Sequence, residues 1–536
     1  MSSLVTSVLL AAAALLSLAL AAVRARYLLH MLQLEEYDAR RFVRWARDHA
    51  ARLGSNYPLD ALAVGGVAIL VLHLHGLVVA IVASGMAAMV CTWGLLRERR
   101  LLKVPVKKPL VMTPRAWRLV VCCLAVDAAT AAVCFLGSPW WGLAAALLLP
   151  LAAPAIMLLS RFIMEPVEAL IRRWYLRDAH SKLAGLQPIV VGITGSYGKT
   201  STKFFVAHLL ESRYRVLMTP ESYNTAMGIC RVIRGELGPE HQVFVVELAE
   251  NERGGFRQLL SLVPCTLSVV TSVGVQHLEE FGSEAAIHQV MQDFVRTERS
   301  GNIVVLNGDD ATLTDMPGVS GKKLLRASAA GSRSADLRAE RVVVSSDGLA
   351  FDIVTSEGER VACRSALLGR HNVANILLAV AAARELGVAW TAIQEGILTL
   401  QAPPHRLQML SGAGGVHIID DAFNSNPVGF AMAMEVLASF PSRRVLVTPG
   451  LVSLGSVEED ENVEAGKRAA VAADMVILVG PRKTQPVRAG LLAAGFPERS
   501  IITVHSLGEV TDVMRSMLVP GDTVLFENDL PDTYNE

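Results

Sequence analysis

Ile189-Val190-Val191-Gly192-Ile193-Thr194-Gly195-Ser196-Tyr197-Gly198-Lys199-Thr200-Ser201-Thr202 reads as a buried strand, a glycine turn and the start of a helix. The β-branched apolar residues Ile189, Val190 and Val191 suit a strand covered on both faces. Gly195 and Gly198 let the backbone curl so that its N–H groups point at one spot, and a helical stretch from Lys203 to Leu210 adds its positive end there. The product is a phosphate cradle, with Lys199 placed for the β- and γ-phosphates and Thr200 for Mg2+. Ile193 stands where the strict P-loop pattern has glycine. A glycine turn that binds nothing has no need of Gly-Lys-Thr directly behind an apolar strand, so the stretch reads as a nucleotide site.

Downstream, apolar runs at Arg215 to Thr219, Val243 to Leu248, Leu267 to Ser272 and Ile303 to Asn307 alternate with helical patterns. Such βαβ units build a mostly parallel sheet, which gathers ligand residues at its strand C-terminal ends. Ser222-Tyr223-Asn224-Thr225 follows the second run, Glu247 closes the third, and His277 comes shortly after the fourth. A carboxylate and an imidazole converging on a P-loop point to a Mg2+-phosphate site. Ala327 to Asp336 reads as a loop. From Arg341 to Leu368, Asp347-Gly348 and Glu357-Gly358 separate alternating strands and predict a small antiparallel insert. Gln401-Ala402-Pro403-Pro404-His405-Arg406 is a proline-stiffened hinge. Beyond it, strands at Val416 to Asp420, Arg444 to Thr448, Met475 to Val479, Ile501 to Val504 and Thr523 to Glu527 form a Rossmann-like α/β domain without a dinucleotide GxGxxG.

The 536 residues allow roughly three or four domains. Fifty basic and fifty acidic residues cancel, so charge gives no argument for a nucleic-acid partner, and none is expected. The seven cysteines form no CxxC pair and no Cys/His metal spacing. A disulfide framework or structural zinc is therefore not supported, and a reducing compartment fits the part after the apolar region.

That apolar region is the front of the chain, residues 1–160. Leu4 to Val23 is a run of spanning length without charge, Ala61 to Leu96 is long enough for two short spans turning at His73, His75 and Gly76, and Trp117 to Leu136 with Trp140 to Ser160 makes a hairpin around Gly137-Ser138-Pro139. The expected count is about five spans. The stretches Arg24 to Arg52, Arg97 to Arg118 and Arg161 to Arg177 are rich in basic residues. With that count all three fall on one side, which places the downstream domains in the cytoplasm beneath the inner membrane. Asp127 lies mid-span and is expected to face other helices. Phe162 to Arg177, within the linker 161–184, predicts an amphipathic helix lying on the membrane surface.

Thr194 to Ser201, Ser222-Tyr223-Asn224-Thr225 with Gly228, Val246-Glu247-Leu248 and His277-Leu278-Glu279 with Phe281-Gly282 resemble, in order, the motifs of the Mur ligase family. So do Gly369-Arg370-His371-Asn372-Val373-Ala374-Asn375, His405-Arg406 and Asp420-Asp421-Ala422-Phe423-Asn424-Ser425-Asn426-Pro427. The likeness covers about 185–536 and is greatest to the branch that adds D-alanyl-D-alanine to a UDP-MurNAc-tripeptide. It implies a central ATP-binding domain (185–400), a C-terminal ligase domain (401–536) and ATP-dependent amide-bond formation through an acyl phosphate. By the same resemblance Gly195, Ser196, Gly198, Lys199 and Ser201 would hold phosphates, and Thr200 and Glu247 one Mg2+. His277 would hold a second ion with Asn224 nearby, Asn372 would face the adenine, Arg406 would reach the phosphates and Asp421 the ribose.

Three departures stand out. Met291 occupies the position where the family places a carbamylated lysine, with His288 one turn earlier as a substitute of softer chemistry. In the last domain Ser453 replaces the usual acidic residue, and Phe526-Glu527-Asn528-Asp529-Leu530-Pro531 replaces a Lys-Gly-Ser; Glu527 and Asp529 could meet a cationic amine or lie in a solvated loop. The front of the chain holds membrane helices where the family has a UDP-sugar domain. The expectation is a membrane-tethered ligase of envelope synthesis acting on a lipid-linked or small-molecule glycopeptide and an amino-acid or dipeptide amine. A polyglutamate-type ligase and a nucleotide-binding scaffold are the alternatives.

Overall fold

A computed structural model describes residues 2–49, 77–101, 108–249, 255–274, 283–314, 316, 319–423, 425–452 and 454–529. The chain divides into two compact units, Met1–Arg173 and Trp174–Pro531.

In the first unit, the helices Ser2–Leu34, Leu77–Leu101 and Pro114–Gly137 are followed by Pro139–Leu186, which continues into the second. Among the described residues three helical stretches are long and apolar enough to cross a membrane: Leu4–Leu34, Pro114–Gly137 and Leu148–Leu186. The span expected before Leu77, with its turn at His73 to Gly76, lies outside the described residues. The turn at Ser138 falls where the sequence places it. Asp127 is buried, facing other helices as expected. Phe162 to Arg177 is helical as expected, and it continues the helix Pro139–Leu186, which accommodates Pro150, Pro154 and Pro166 internally. The short helix Ala39–Asp48 buries Phe42 and Trp45 and carries Arg40, Arg41, Arg44 and Arg47 on its outer side.

The second unit is built on two sheets. The larger holds β1 (Ile189–Thr194), β2 (Val216–Met218), β3 (Val243–Glu247), β4 (Leu267–Val270), β5 (Ile303–Asn307), β6 (Lys323–Ser328), β7 (Leu337–Ser345), β8 (Gly348–Thr355) and β9 (Arg360–Ser365). Their order is β2-β3-β1-β4-β5-β6-β7-β8-β9. From β2 to β7 all neighbours run parallel, and β7, β8 and β9 are antiparallel. The hairpins expected at Asp347-Gly348 and Glu357-Gly358 are present. They are no independent insert, because Ala327 and Ser328 pair with Leu337 and Arg338 and extend the main sheet. The expected loop from Ala327 is correspondingly shortened by β6.

The apolar runs form strands because both faces are covered. Val191, Ile193, Phe205, Leu209, Val245 and Ile376 belong to one buried cluster, and Val190, Phe244, Val246, Phe256 and Phe294 to the other. Each such large side chain contributes about 1.5–3 kcal/mol when removed from water. Ala179 and Leu183, in the last turns of the helix ending at Leu186, join the second cluster. Strand order reverses at β1, with β3 and β2 on one side and β4 on the other. The crevice at its C-terminal end is where a parallel sheet offers a ligand site.

The smaller sheet has β10 (Gln408–Ser411), β11 (His417–Asp421), β12 (Arg444–Thr448), β13 (Met475–Val479), β14 (Ile501–Val504) and β15 (Thr523–Glu527), ordered β10-β11-β15-β12-β13-β14. Only β10 is antiparallel.

Candidate active site

The loop after β1 is shaped by two glycines in left-handed or extended-positive backbone, Gly195 with φ 133° and Gly198 with φ 79°. A Cβ at Gly195 would lie 2.2 Å from Thr271 Oγ1, and one at Gly198 would lie 2.5 Å from Asn375 Oδ1. The chain passes there only without side chains. The end of β4 fixes the loop from below. Ser196 N donates to Ser272 O at 2.5 Å, Thr271 Oγ1 to Tyr197 O at 2.6 Å and Gly274 N to Ser196 Oγ at 2.8 Å. The helix Lys199–Glu211 starts directly behind Gly198. Its N-terminus and the loop amides give an anion cradle in the expected place. Ile193, at the position of the missing glycine, is fully buried inside β1.

Lys199 curls over its own loop, donating to Gly195 O at 2.7 Å and Ser196 O at 3.0 Å. Burial, with Arg406 nearby, lowers its ammonium to about 8 against the pull of Glu247. Glu247, at the tip of β3, is the hub of the site. Thr200 Oγ1 donates to its Oε2 at 3.0 Å and Asn224 Nδ2 to its Oε1 at 3.0 Å. Lys203 Nζ lies 3.4 Å from the same Oε2. Thr200 and Glu247 thus offer two hard oxygens side by side, the donor chemistry that Mg2+ takes when it also shares phosphate and water ligands. His277 lies outside the described residues.

The helix His371–Glu385 brings two asparagines. Asn372 is buried, donating to Leu368 O at 2.8 Å and accepting from Asn375 Nδ2 at 3.1 Å. Asn375 in turn accepts from Thr202 Oγ1 at 3.3 Å and lies against Gly198. Its contact with the loop was not legible in the sequence, although the repeated asparagine one turn after Asn372 was the available signal. From the hinge, Arg406 lies over the Phe423 ring at 4.5 Å, close enough to Asp421, Glu247 and Lys199 to act on their charges. It is flanked by His405 and Leu407, both in left-handed backbone, φ 60° and 46°. Asp421 accepts from Leu407 N at 3.1 Å, and burial raises its carboxyl to about 6. The loop, strand tip and hinge residues singled out in the sequence therefore converge.

Two family models match, the Mur ligase middle domain over residues 193–383 and the Mur ligase glutamate ligase domain over residues 405–527. The chain belongs to the Mur ligase family. Among characterised Mur ligases, a UDP-N-acetylmuramoyl-tripeptide–D-alanyl-D-alanine ligase of Escherichia coli (strain K12) is 32% identical over 292 residues, which are 54% of this chain and 64% of the relative. One from Synechocystis is 28% identical over 343 residues, 63% of this chain and 71% of the relative. The chain spans less than two thirds of the length of the Escherichia coli enzyme. MurF of Acinetobacter baumannii superposes with TM-score 0.60 at 23% identity over 68% of this chain and 78% of that one. A Thermotoga maritima MurF ligase in complex with ADP gives 0.58 at 23% over 68% and 81%. The two solved structures share the Mur ligase fold.

Where this Mur ligase departs from the family motifs, the structure shows what took their place. Met291 is 6% exposed and joins the apolar cluster with Phe256, Phe294, Leu313 and Met316. His288 Nε2 meets Thr312 Oγ1 at 3.1 Å. This helix, Glu284–Arg296, supplies no hard ligand at either position. Glu527 is fully buried at the tip of β15, accepting from Ser425 Oγ and, at 3.4 Å, from Thr448 Oγ1. Burial, with Asp421 nearby, raises it to about 8. Of the two earlier readings for Glu527, the solvated loop is overturned. Asn528 takes left-handed backbone, φ 64°, a conformation that asparagine tolerates better than most residues other than glycine. Ser453 lies outside the described residues.

Proposed function

We propose that this chain is a membrane-tethered, ATP-dependent amide ligase of cell-envelope precursor synthesis, with its two ligase domains, 185–400 and 401–536, at the cytoplasmic face of the inner membrane. The convergence of Lys199, Glu247 and Arg406 from the P-loop, the tip of β3 and the hinge carries this reading. In it, the loop amides, Ser196, Ser201 and Lys199 cradle the β- and γ-phosphates of ATP, Asn372 faces the adenine and Asp421 the ribose. Thr200 and Glu247 would hold Mg2+, which would supply neutralising charge for the phosphates, and His277 would hold a second ion. The γ-phosphoryl group passes to the substrate carboxylate, ADP leaves, and an amine such as D-alanyl-D-alanine attacks the acyl phosphate and expels phosphate. Arg406 follows the charge that moves between the phosphates, which is the main task of a site of this kind. Asn224 keeps the Glu247 carboxylate turned toward Thr200.

The membrane helices stand where relatives have a UDP-sugar domain, which favours a lipid-linked glycopeptide as the carboxylate substrate. A substrate-dependent ADP-release assay on the membrane-embedded protein tests this, with Lys199→Ala as the control. Release with lipid-linked glycopeptide plus dipeptide supports it, and release only with the UDP-linked tripeptide overturns the lipid assignment. Met291 in its apolar setting favours a second reading, a nucleotide-binding scaffold. That reading predicts nucleotide binding with no release under any substrate mixture.

A further inference from the structure

Lys203 is the largest charged side chain fully hidden from solvent among the described residues of the ligase unit, 0% exposed. It sits one turn after Lys199 on the helix Lys199–Glu211. Its ammonium makes two polar contacts, to Glu247 Oε2 at 3.4 Å and to the backbone carbonyl of Glu221. The first is the hub of the site. The second is the residue that opens the Ser222–Thr225 loop, from which Asn224 returns to the other oxygen of Glu247. A buried ion pair is a poor way to stabilise a fold, since apolar residues of similar volume often do as well or better. The pair is better explained by what it holds still.

We infer that Lys203 is a positioning residue that locks the Glu247 carboxylate and the Ser222–Thr225 loop in one register for Mg2+-nucleotide, an inference that rests on the nucleotide reading of the site. Thr200 and Lys203 approach the same oxygen of Glu247. A cation arriving beside Thr200 meets a carboxylate whose rotation is already fixed from behind. Groups that orient a metal-binding carboxylate typically contribute 10–100-fold to metal affinity. A pure charge effect has the opposite sign, because deleting a cation next to the site would tighten Mg2+.

The test is the Mg2+ dependence of ADP binding by the full-length protein in lipid nanodiscs, read by calorimetry. Lys203→Met is expected to raise the half-saturating Mg2+ concentration at least about tenfold while leaving metal-free ADP binding in place. Adding Glu247→Gln to that variant is expected to change it no further than Glu247→Gln alone. An unchanged Mg2+ response with only a lower melting temperature overturns the inference, and so does a tighter one. If Lys203→Met cannot be purified, Lys203→Gln keeps a donor and reads the same quantity. A rise of about threefold or more supports the inference, and no rise overturns it. If the unmodified protein binds no ADP at all, the nucleotide reading falls and this inference falls with it.

Discussion

The hydroxyl of Thr200 donates to Glu247 across 3.0 Å, joining the first turn behind the P-loop to the tip of β3. An oxygen pair held this way defines where a divalent cation can sit. Glu247→Gln keeps the shape and removes the charge, so Mg2+-dependent ADP release is expected to drop on the order of 100-fold. Steady-state assays over a Mg2+ series check this, and a variant as active as the parent would place the ion elsewhere.

Lys199 has its ammonium lowered to about 8 chiefly by burial. Phosphates bound beside it stabilise the charged form and raise it again. Nucleotide binding above pH 8 must then take up a proton, and affinity must fall as pH rises past 8. Calorimetry at pH 8.5 in buffers of different ionisation enthalpy measures the uptake, which Lys199→Ala abolishes.

Gly198 combines φ 79° with a Cβ position 2.5 Å from Asn375 Oδ1. Gly198→Ala meets a left-handed backbone cost of roughly 1–2 kcal/mol and a collision that pushes Asn375 off the loop. Lower melting temperature together with loss of nucleotide binding is the expected pair of results.

Met291 lies in an apolar cluster, so Met291→Lys places an ammonium among apolar side chains. The expected loss is about 3 kcal/mol, visible as a lower denaturation midpoint at pH 7 that partly recovers at pH 10, where the lysine is neutral.

Glu527 has its carboxyl raised from 4.5 to about 8 by burial. An acid whose folded form holds its proton more tightly than the unfolded chain stabilises the fold fully below pH 4.5, and that stability is lost as pH rises through about 8. Each tenfold change in proton affinity is worth about 1.4 kcal/mol, so several kcal/mol are at stake. Glu527→Gln is expected to melt higher than the parent at pH 8–9, with the gap narrowing toward pH 5.

Strands covered on both faces declare themselves in sequence as short apolar runs. For β5, β12, β13, β14 and β15 the expected limits coincide with the observed ones. β6 escaped because Lys323-Leu324-Leu325-Arg326-Ala327-Ser328 mixes charge with leucine, and β10 because it is a four-residue antiparallel edge. Alternation revealed the β7–β9 hairpins but carries no information on which sheet they join. The helix Pro139–Leu186 reads in sequence as two pieces, Trp140 to Ser160 and Phe162 to Arg177, because its composition changes from apolar to arginine-rich after Ser160, while the backbone runs on through both and through Pro150, Pro154 and Pro166.

The site was legible where chemistry is local. Gly-Lys-Thr names itself, and Glu247 is marked by its place at a strand tip. Lys203, Asn375 and the partners of Glu527 became visible only through contacts between elements distant in the chain. No spacing rule relates a helix lysine to a carboxylate 44 residues away.

Arg406 reaches the nucleotide loop from between His405 and Leu407, both in left-handed backbone. Each holds that conformation against a cost of roughly 1–2 kcal/mol, so the backbone strain of the hinge sits on both sides of the guanidinium whose charge is felt at Lys199 and that in turn feels Glu247.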